Sequence, residues 1–142
     1  AIQHSTMIAM AKKIHMTVTF SLDESIVIKA DATRLRLVFE NLLSNAIKYS
    51  PVGSTITLAF EDRVTTKVFS ITDQGIGIPK GDQKKIFSGY HRAGNAKKSG
   101  ILGSGFGLYM AKKIVDFHGG SIYCTSTPNQ GTTFTITLPV GV

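Results

Sequence analysis

Two spacings of hydrophobic positions alternate along the chain, one of every second residue and one of every third or fourth. The helical spacing is clearest from residue 31 to about residue 50, where apolar side chains recur along one stripe. Asp31 stands where an amino-terminal cap is favoured, and Pro51 and Gly53 end the pattern. The predicted stripe consists of Leu35, Val38, Leu42 and Ala46.

The remaining patterns predict strands and helices in mixed order, with a hairpin at each end of the chain. Such an order is typical of an α/β (α+β) domain: a two-layer sandwich whose mixed sheet is covered by helices on one face. The segment 81–103 is rich in glycine, lysine and serine, and we expect a long mobile loop there. The predicted elements are a short helix at 2–14, the strands MTVTFSL, SIVIKA, STITLAFED and TTKVFSITD, the helix GFGLYMAKKIVDFHGG, and the strands SIYCTST and TTFTITLP.

Composition narrows the class of protein. The 142 residues, 42% of them hydrophobic and 18% charged, fit one soluble globular domain. No apolar run approaches the roughly 20 residues that span a bilayer, so we expect no direct membrane contact by this chain. The first residues lack the apolar core of a signal peptide, and we interpret the chain as a fragment of a longer protein. The single cysteine, Cys124, is interpreted as buried packing.

The net charge of +7 leaves two kinds of ligand open. Clustered lysines and arginines are typical of nucleic-acid binding, because they displace counterions from phosphates. Much of the excess charge, however, lies between Lys80 and Lys98, next to glycines. That placement suits a small phosphate-bearing ligand equally well.

Polar side chains form a second stripe along the helix that begins at Asp31. Arg34, Asn41, Asn45 and Lys48 are separated by seven, four and three residues, so they lie on one side. A solvated helix face is one explanation. Against it, each mid-helix asparagine costs roughly half a kcal/mol relative to alanine. Carboxamide oxygens suit Mg²⁺, which is usually bound by a few protein oxygens together with phosphate oxygens and waters.

Two glycine-rich motifs complete the candidate chemistry. In DQGIGIP, Asp73 ends a predicted strand, where its carboxylate can accept from an exocyclic amine, and a tight turn is the alternative. In GSGFGL, residues 103–108, three glycines precede a predicted helix. Backbone N–H groups and the positive helix end form a phosphate site there. Each motif alone is common in unrelated proteins.

In combination, the motifs resemble the ATP-binding catalytic domain of sensor histidine kinases, of the superfamily shared by gyrase, Hsp90 and MutL. NLLSNAIKYS is similar to the N box of that family, DQGIGIP to the G1 box, IFSGYHR to the F box, GSGFGL to the G2 box and GTTFTITLP to the G3 element. The order and spacing agree over roughly residues 16–140. The resemblance implies the Bergerat-type fold, with a five-stranded sheet and three helices, as residues 16–142, a lid at about 81–102, and residues 1–15 as a residual helix or linker from a missing dimerisation and phosphoacceptor region.

The resemblance also implies roles for individual residues, with ATP and Mg²⁺ as cofactors. Asn45 and Asn41 hold the metal, Asp73 receives the adenine amino group, and Gly75 and Gly77 leave room for the base. Catalytic roles fall to Glu40, as a polarising acid, and to Asn41, Asn45, Lys48 and Arg92. The implied nucleotide contacts are Asn45, Lys48, Tyr49, Asp73, Gly75, Gly77, Ile78, Lys97, Lys98, Gly103, Ser104, Gly105, Phe106, Gly107, Leu108 and Thr132.

Two departures and two alternatives accompany the resemblance. Tyr90 stands where the F box usually has its second phenylalanine, and the phosphoacceptor hairpin is not in this chain. A degenerate nucleotide-binding regulatory module is the first alternative. A gyrase- or Hsp90-type ATPase is the second, but it needs a glutamate at the place of Asn41.

The resemblance names partners and a compartment as well. The expected partners are the histidine-bearing hairpin of the same protein and a downstream response regulator, without nucleic acid. The expected location is cytoplasmic, and the parent is either soluble or a membrane sensor with this domain on the cytoplasmic side.

Overall fold

A computed structural model of the chain describes residue 7 and residues 9–19 and 28–140. Within these residues, five strands combine with two long helices, two short helical segments and a helical stretch at 9–11 that precedes the first strand. The elements are β1 (His15–Val18), α1 (Ala32–Tyr49), β2 (Thr55–Asp62), β3 (Thr66–Thr72), a 3₁₀ turn (Lys85–Phe87), α2 (Gly94–Lys98), α3 (Gly107–Phe117), β4 (Ser121–Thr127) and β5 (Gly131–Pro139).

The strands form one mixed sheet in the order β1-β2-β3-β5-β4. β1 runs parallel to β2, and every other neighbouring pair is antiparallel. The sheet therefore places β5 in its interior, between β3 and β4. The predicted mixed five-stranded sheet is confirmed.

The two faces of the sheet differ because side chains alternate along each strand. On one face, Leu58, Ile71, Phe134 and Cys124 lie side by side across four strands and pack in or against the core. The opposite face carries a parallel row of threonines. This row consists of Thr57, Thr72, Thr133 and Thr125.

Helices cover the apolar face of the sheet. Val38 and Leu42 of α1 and Ala111 and Val115 of α3 are fully buried in the same cluster as the sheet residues. The short helix α2 adds Ala96 to this core. Three helices on one face are as predicted, although the third has only five residues.

Helix α1 starts and stops where the sequence predicts. The side chain of Asp31 accepts a hydrogen bond from the backbone N–H of Arg34 at 3.0 Å, which satisfies one of the free donors of the first turn. The helix ends at Tyr49, with Ser50 as its carboxyl-terminal cap and Pro51 directly after it. The predicted apolar stripe is buried, and Ile47 extends it.

The amino-terminal region differs from the expected hairpin. Residues 9–11 are helical, within the predicted helix at 2–14, and β1 coincides with the start of MTVTFSL. Its observed neighbour is β2, in parallel. Of the expected partner SIVIKA, residues 28–30 are not in a strand, and residues 25–27 lie outside the described part of the chain. The same holds for residues 2–6 and 8 of the predicted helix and for residues 20–22 of the predicted strand.

Cys124 lies on the apolar face of β4, half-buried. Its thiol donates to the carbonyl oxygen of Gln83 at 3.6 Å. Burial raises the pKa of the thiol to about 11, so the thiol stays protonated at neutral pH. Its surroundings agree with a packing role.

Candidate functional site

A cleft of about 200 Å³ lies between α1, the turn that follows β3, the start of β5 and the glycine-rich run that precedes α3. It brings together most of the side chains that the sequence singles out, although they are spread over some ninety residues of chain. The predicted residues that line it are Asn41, Asn45, Lys48, Tyr49, Asp73, Gly77, Ile78, Arg92, Gly103, Ser104, Gly105, Gly107, Leu108 and Thr132.

Helix α1 supplies one wall of the cleft. Asn41, Asn45 and Lys48 face it because they lie three or four residues apart, beside the buried apolar stripe. Within the described part of the chain, neither asparagine carboxamide has a hydrogen-bond partner. Both amide groups are therefore available to a ligand in the cleft.

Asp73 follows β3 and is 6% exposed. Its Oδ1 accepts the backbone N–H groups of Gly75 at 2.8 Å and Thr132 at 3.2 Å. Burial raises the pKa of this carboxyl, and the two N–H groups partly offset that rise. Oδ2 has no partner among the described residues, so a buried acceptor faces the cleft.

The two glycines after Asp73 lie where the backbone of other segments comes too close for a side chain. A side chain at Gly75 would collide with the carbonyl oxygen of Tyr49, at 2.6 Å, and with Oδ1 of Asp73. At Gly77, which has a φ of +70°, it would collide with the carbonyl oxygen of Thr127. The protein's own backbone fills the space that a Cβ atom would need at both positions, and Gly77 also lines the cleft; that the two glycines leave room for the base stays a prediction.

Cationic groups converge on another part of the cleft, near Gly103. A Cβ atom built at Gly103 lies 3.6 Å from each of Nζ of Lys48, Nε of Arg92 and Oη of Tyr49. Among the described residues, Asp73 is the one carboxylate in the lining. The potential near Gly103 is therefore positive and favours an anion.

The amino end of α3 adds backbone donors to this region. Phe106, which precedes the helix, makes no side-chain cap hydrogen bond, so the first N–H groups of α3 depend on solvent or a ligand. Gly107 lies against Asn41, where a Cβ atom would approach the side-chain oxygen to 2.9 Å. An uncapped helix end next to Lys48 and Arg92 is suited to phosphate.

The predicted lid, residues 81–102, is more structured than the sequence suggests. It contains the 3₁₀ turn and α2, and it buries Ile86, Ala93 and Ala96. The expectation of a long irregular loop is wrong over α2. The mobility of the lid stays a prediction.

Side-chain hydrogen bonds fasten this lid to the rest of the domain. Asn95 donates to the carbonyl oxygen of Gly77 at 2.8 Å. Gln83 donates to the carbonyl oxygens of Ile78 and Ser126 at 3.0 and 2.9 Å. Arg92 donates to the lid's own backbone at Ile101. The lid is thus attached directly to the turn beside Asp73.

The two aromatic residues of the F-box segment lie in different surroundings, one in the core and one at the surface. Phe87 packs against the core and lies edge-on to Phe134, with ring centroids 6.2 Å apart. Tyr90 is 72% exposed and stacks on Phe106 at 5.3 Å. Tyrosine in place of phenylalanine therefore leaves the core packing unchanged.

Five predicted site residues do not line the cleft: Glu40, Gly75, Lys97, Lys98 and Phe106. Glu40 pairs with Arg36 at 3.0 Å on the outside of α1. Lys97 and Lys98 are exposed at the end of α2.

Sequence reasoning missed several lining residues. Ser44 follows Asn41 by three residues, so the helical stripe contained a signal for it. The others reach the cleft only through the tertiary fold. They are Ile76, Ile86, His91, Ala93, Ala96 and Phe134.

The donor set bears on a metal ion. In the described ranges, no cluster of three or more His, Cys, Asp or Glu side chains is placed to hold one. The unpaired carboxamides of Asn41 and Asn45 are oxygen donors in the same cleft as the cations. One or two protein oxygens fit Mg²⁺, which usually binds together with phosphates and waters. They do not form an all-protein metal cage.

Comparison with known proteins gives one family match. The family described as "Histidine kinase-, DNA gyrase B-, and HSP90-like ATPase" matches residues 30–142. The sensor histidine kinase WalK of Bacillus subtilis is 37% identical over 133 residues, 92% of this chain and 22% of that protein. The adaptive-response sensory kinase SasA of Synechocystis sp. is 41% identical over 130 residues, 90% of this chain and 33% of that protein. The chain spans a third or less of these two relatives.

Solved structures agree with this match. The mycobacterial sensor histidine kinase MprB has a TM-score of 0.80 at 28% identity, covering 97% of this chain and 92% of that one. The nucleotide-free catalytic domain of histidine kinase ThkA has the same TM-score and identity, with 98% and 91% covered. A structure of ThkA in complex with the response regulator TrrA aligns at a TM-score of 0.77 and 26% identity, over 99% of this chain and 39% of that one.

None of the described helices combines the length and the apolar character of a membrane span.

Proposed function

Because the chain belongs to the family of histidine kinase-, DNA gyrase B- and HSP90-like ATPases, we propose that it is the ATP-binding catalytic domain of a two-component sensor histidine kinase. In this reaction the bond between the γ-phosphorus and the β,γ-bridging oxygen of ATP breaks, a bond from phosphorus to an imidazole nitrogen forms, and ADP leaves. The observation that carries the proposal is the single cleft that joins a buried acceptor, Asp73, to the cations Lys48 and Arg92.

Asp73 provides the means of selecting adenine. Its Oδ1 is held by two backbone N–H groups, so Oδ2 is the oxygen left to accept the exocyclic amino group. Thr132, Gly77 and Ile78 line the cleft around it. Guanine presents a carbonyl oxygen at the corresponding position, and a carboxylate repels it. The site therefore favours adenine nucleotides.

The region around Gly103 is suited to the triphosphate. Lys48, Arg92 and the uncapped amino end of α3 supply positive charge and N–H donors. Phosphoryl transfer depends mainly on positioning and on neutralising charge. These residues orient the phosphates and offset their charge.

We propose Asn45, with Asn41, as the residues that hold Mg²⁺. Their carboxamides face the cleft without protein partners, and one or two oxygens suffice when phosphates complete the shell. The ion supplies further neutralisation of the phosphate charge. The chain's own contribution is to fix its position relative to Lys48.

The cleft favours transfer over hydrolysis. Activation of water needs a general base, such as the carboxylate of a glutamate one helical turn before Asn45. Asn41 occupies that position, and its neutral amide cannot act as a base. Glu40 lies outside the cleft, beside Arg36, and we propose that it faces an incoming histidine. That histidine belongs to a separate helical hairpin, with a response regulator as the next phosphoryl acceptor. We place these steps in the cytoplasm, where ATP is available.

A transfer assay with labelled ATP tests the proposal. The chain alone with Mg·ATP should neither label itself nor release phosphate quickly, because it lacks the acceptor hairpin. Addition of the hairpin of a similar sensor kinase should give an acid-labile phosphate on the hairpin. Asn45→Ala should abolish the labelling, and Asp116→Ala, a change at an exposed residue outside the cleft, should leave it intact.

The other outcomes identify the alternatives. Nucleotide binding without transfer to any hairpin would indicate a regulatory module. Rapid phosphate release by the chain alone would indicate an ATPase. Labelling of His4, His15, His91 or His118 in the isolated chain would contradict the assignment of the acceptor to another domain.

A further inference from the structure

Lys12 reaches across from the segment before β1 to the carboxyl end of α1. Its ammonium group donates to the carbonyl oxygens of Ile47 and Lys48, both at 2.9 Å, and of Ser50 at 3.1 Å. A lysine has three donors on its ammonium group, so all three are used. The residues bonded in this way lie more than thirty positions further along the chain.

These bonds complete the last turn of α1. The final four carbonyl groups of a helix have no partner within it. Here Ala46 accepts from the backbone N–H of Ser50 at 3.2 Å, and Tyr49 accepts from that of Ile76 at 3.3 Å. Ile47 and Lys48 accept from Lys12 alone among the described residues. A cation at this end also interacts favourably with the helix dipole.

Two side chains of the same turn line the cleft: Lys48, with its ammonium near Gly103, and Tyr49. The backbone of Lys48 is thus held by Lys12 on one side, while its side chain faces the phosphate region on the other. Loss of the ammonium of Lys12 would leave the carbonyls of Ile47, Lys48 and Ser50 unpaired in a partly buried place, and the turn would loosen.

We infer that Lys12 is a positioning residue for the triphosphate: it holds the last turn of α1 so that the ammonium of Lys48 points at the phosphate region. The inference rests on the proposed function, because it takes the cleft to bind a nucleotide. The base region depends on Asp73, which follows β3 and is held by backbone donors of its own. Lys12 therefore affects the phosphates more than the base.

Calorimetry with two ligands separates these roles. Lys12→Met removes the ammonium and keeps most of the side-chain stem, Lys12→Arg keeps a charged donor, and Lys13→Met changes the exposed neighbouring lysine as a matched control. Each variant is titrated with the Mg²⁺ complex of a non-hydrolysable ATP analogue and with adenosine, at a temperature where circular dichroism shows it folded.

We expect Lys12→Met to bind the triphosphate about tenfold more weakly, the change that follows from misplacing one charge-assisted contact, and to bind adenosine within twofold of the parent. Lys12→Arg should recover most of the loss, and Lys13→Met should show none. In a Lys48→Met background, Lys12→Met should have no further effect on the triphosphate, because the two residues act in series.

Three outcomes would overturn the inference. Equal losses for adenosine and triphosphate, or no loss for either, would make Lys12 a helix cap without a role in positioning. Failure of Lys12→Met to fold, with Lys12→Arg like the parent, would assign Lys12 to stability alone. A parent chain that does not prefer triphosphate to adenosine would instead contradict the proposed function, so the two failures are distinguishable.

Discussion

Replacement of Asp73 by asparagine removes one charge from the cleft and changes the group that faces the base. Oδ1 of Asp73 accepts two backbone N–H groups, from Gly75 and Thr132. Asparagine keeps its carbonyl oxygen there, because its NH₂ group would oppose both donors. The NH₂ group then occupies the place of Oδ2 and meets the adenine amino group donor to donor.

The size of the effect follows from the bond that is lost. A hydrogen bond to a charged group contributes about 1.5–3 kcal/mol, which corresponds to about a ten- to 150-fold weaker binding of ATP. Binding of GTP should improve, since the new NH₂ group can donate to the guanine carbonyl. The preference for ATP over GTP should therefore fall by more than tenfold.

The thermal stability of Asp73→Asn should not fall together with its affinity for ATP. Burial raises the pKa of Asp73, which means that the folded protein disfavours its ionised form. A group with a raised carboxyl pKa weakens the folded state above that pKa, so the neutral amide removes a cost at pH 7. The melting temperature of Asp73→Asn should accordingly be equal to or above that of the parent.

Isothermal titration calorimetry with ATP and GTP measures both affinities. Asp116→Asn is the matched control, because it makes the same chemical change at an exposed carboxylate that pairs with Lys112. The reasoning is refuted if Asp73→Asn still discriminates ATP from GTP as well as the parent, or if the control loses discrimination to the same extent.

Two further predictions concern the lid. Trypsin should cleave the lid of the ligand-free chain rapidly, at Lys84, Lys85, Arg92, Lys97 or Lys98. Cleavage should be slower with Mg²⁺ and a non-hydrolysable ATP analogue, and intermediate with ADP. Equal protection by both nucleotides would mean that the lid does not sense the γ-phosphate. The N–H of Gly94 and the side chain of His91 hold the pKa of Asp82 below its usual range. These lid contacts are therefore fully present above the ordinary carboxyl pKa, and they are lost as the pH falls through the lower pKa that Asp82 has in the folded protein. The amide resonance of Gly94 should shift with a midpoint below about 3.9, the ordinary value, and should not titrate in Asp82→Asn; a midpoint at or above the ordinary value would contradict this.

Local periodicity carried enough information to place the wall of the cleft formed by α1. Asn41, Asn45 and Lys48 face the same way in any regular helix, and the capping preference of Asp31 fixed where that helix begins. Strands β2, β3, β4 and β5 were predictable for the same reason, since alternation is a local property. The partner of β1 was not, because strand pairing depends on contacts between distant residues.

The short helix α2 shows where local reasoning fails. Gly94 and Asn95 have low helix propensity, and five residues are too few for a stable helix in isolation. Tertiary contacts support it: Asn95 donates to Gly77, and Asp82 accepts the N–H of Gly94. Local patterns could not identify Lys12 for the same reason, because its role depends on contacts with a helix end more than thirty residues away.

The interior position of β5 has a consequence for biosynthesis. β5 is the last of the described strands to be made, yet both of its edges are paired, with β3 and β4. Until residues 131–139 leave the ribosome, β3 and β4 have no shared neighbour, and the helices lack Phe134, Ile136 and Leu138 beneath them. Domains generally fold as units during synthesis, so the sheet can close only once this strand has emerged. A premature stop before residue 131 would therefore leave two open strand edges, a ready template for aggregation.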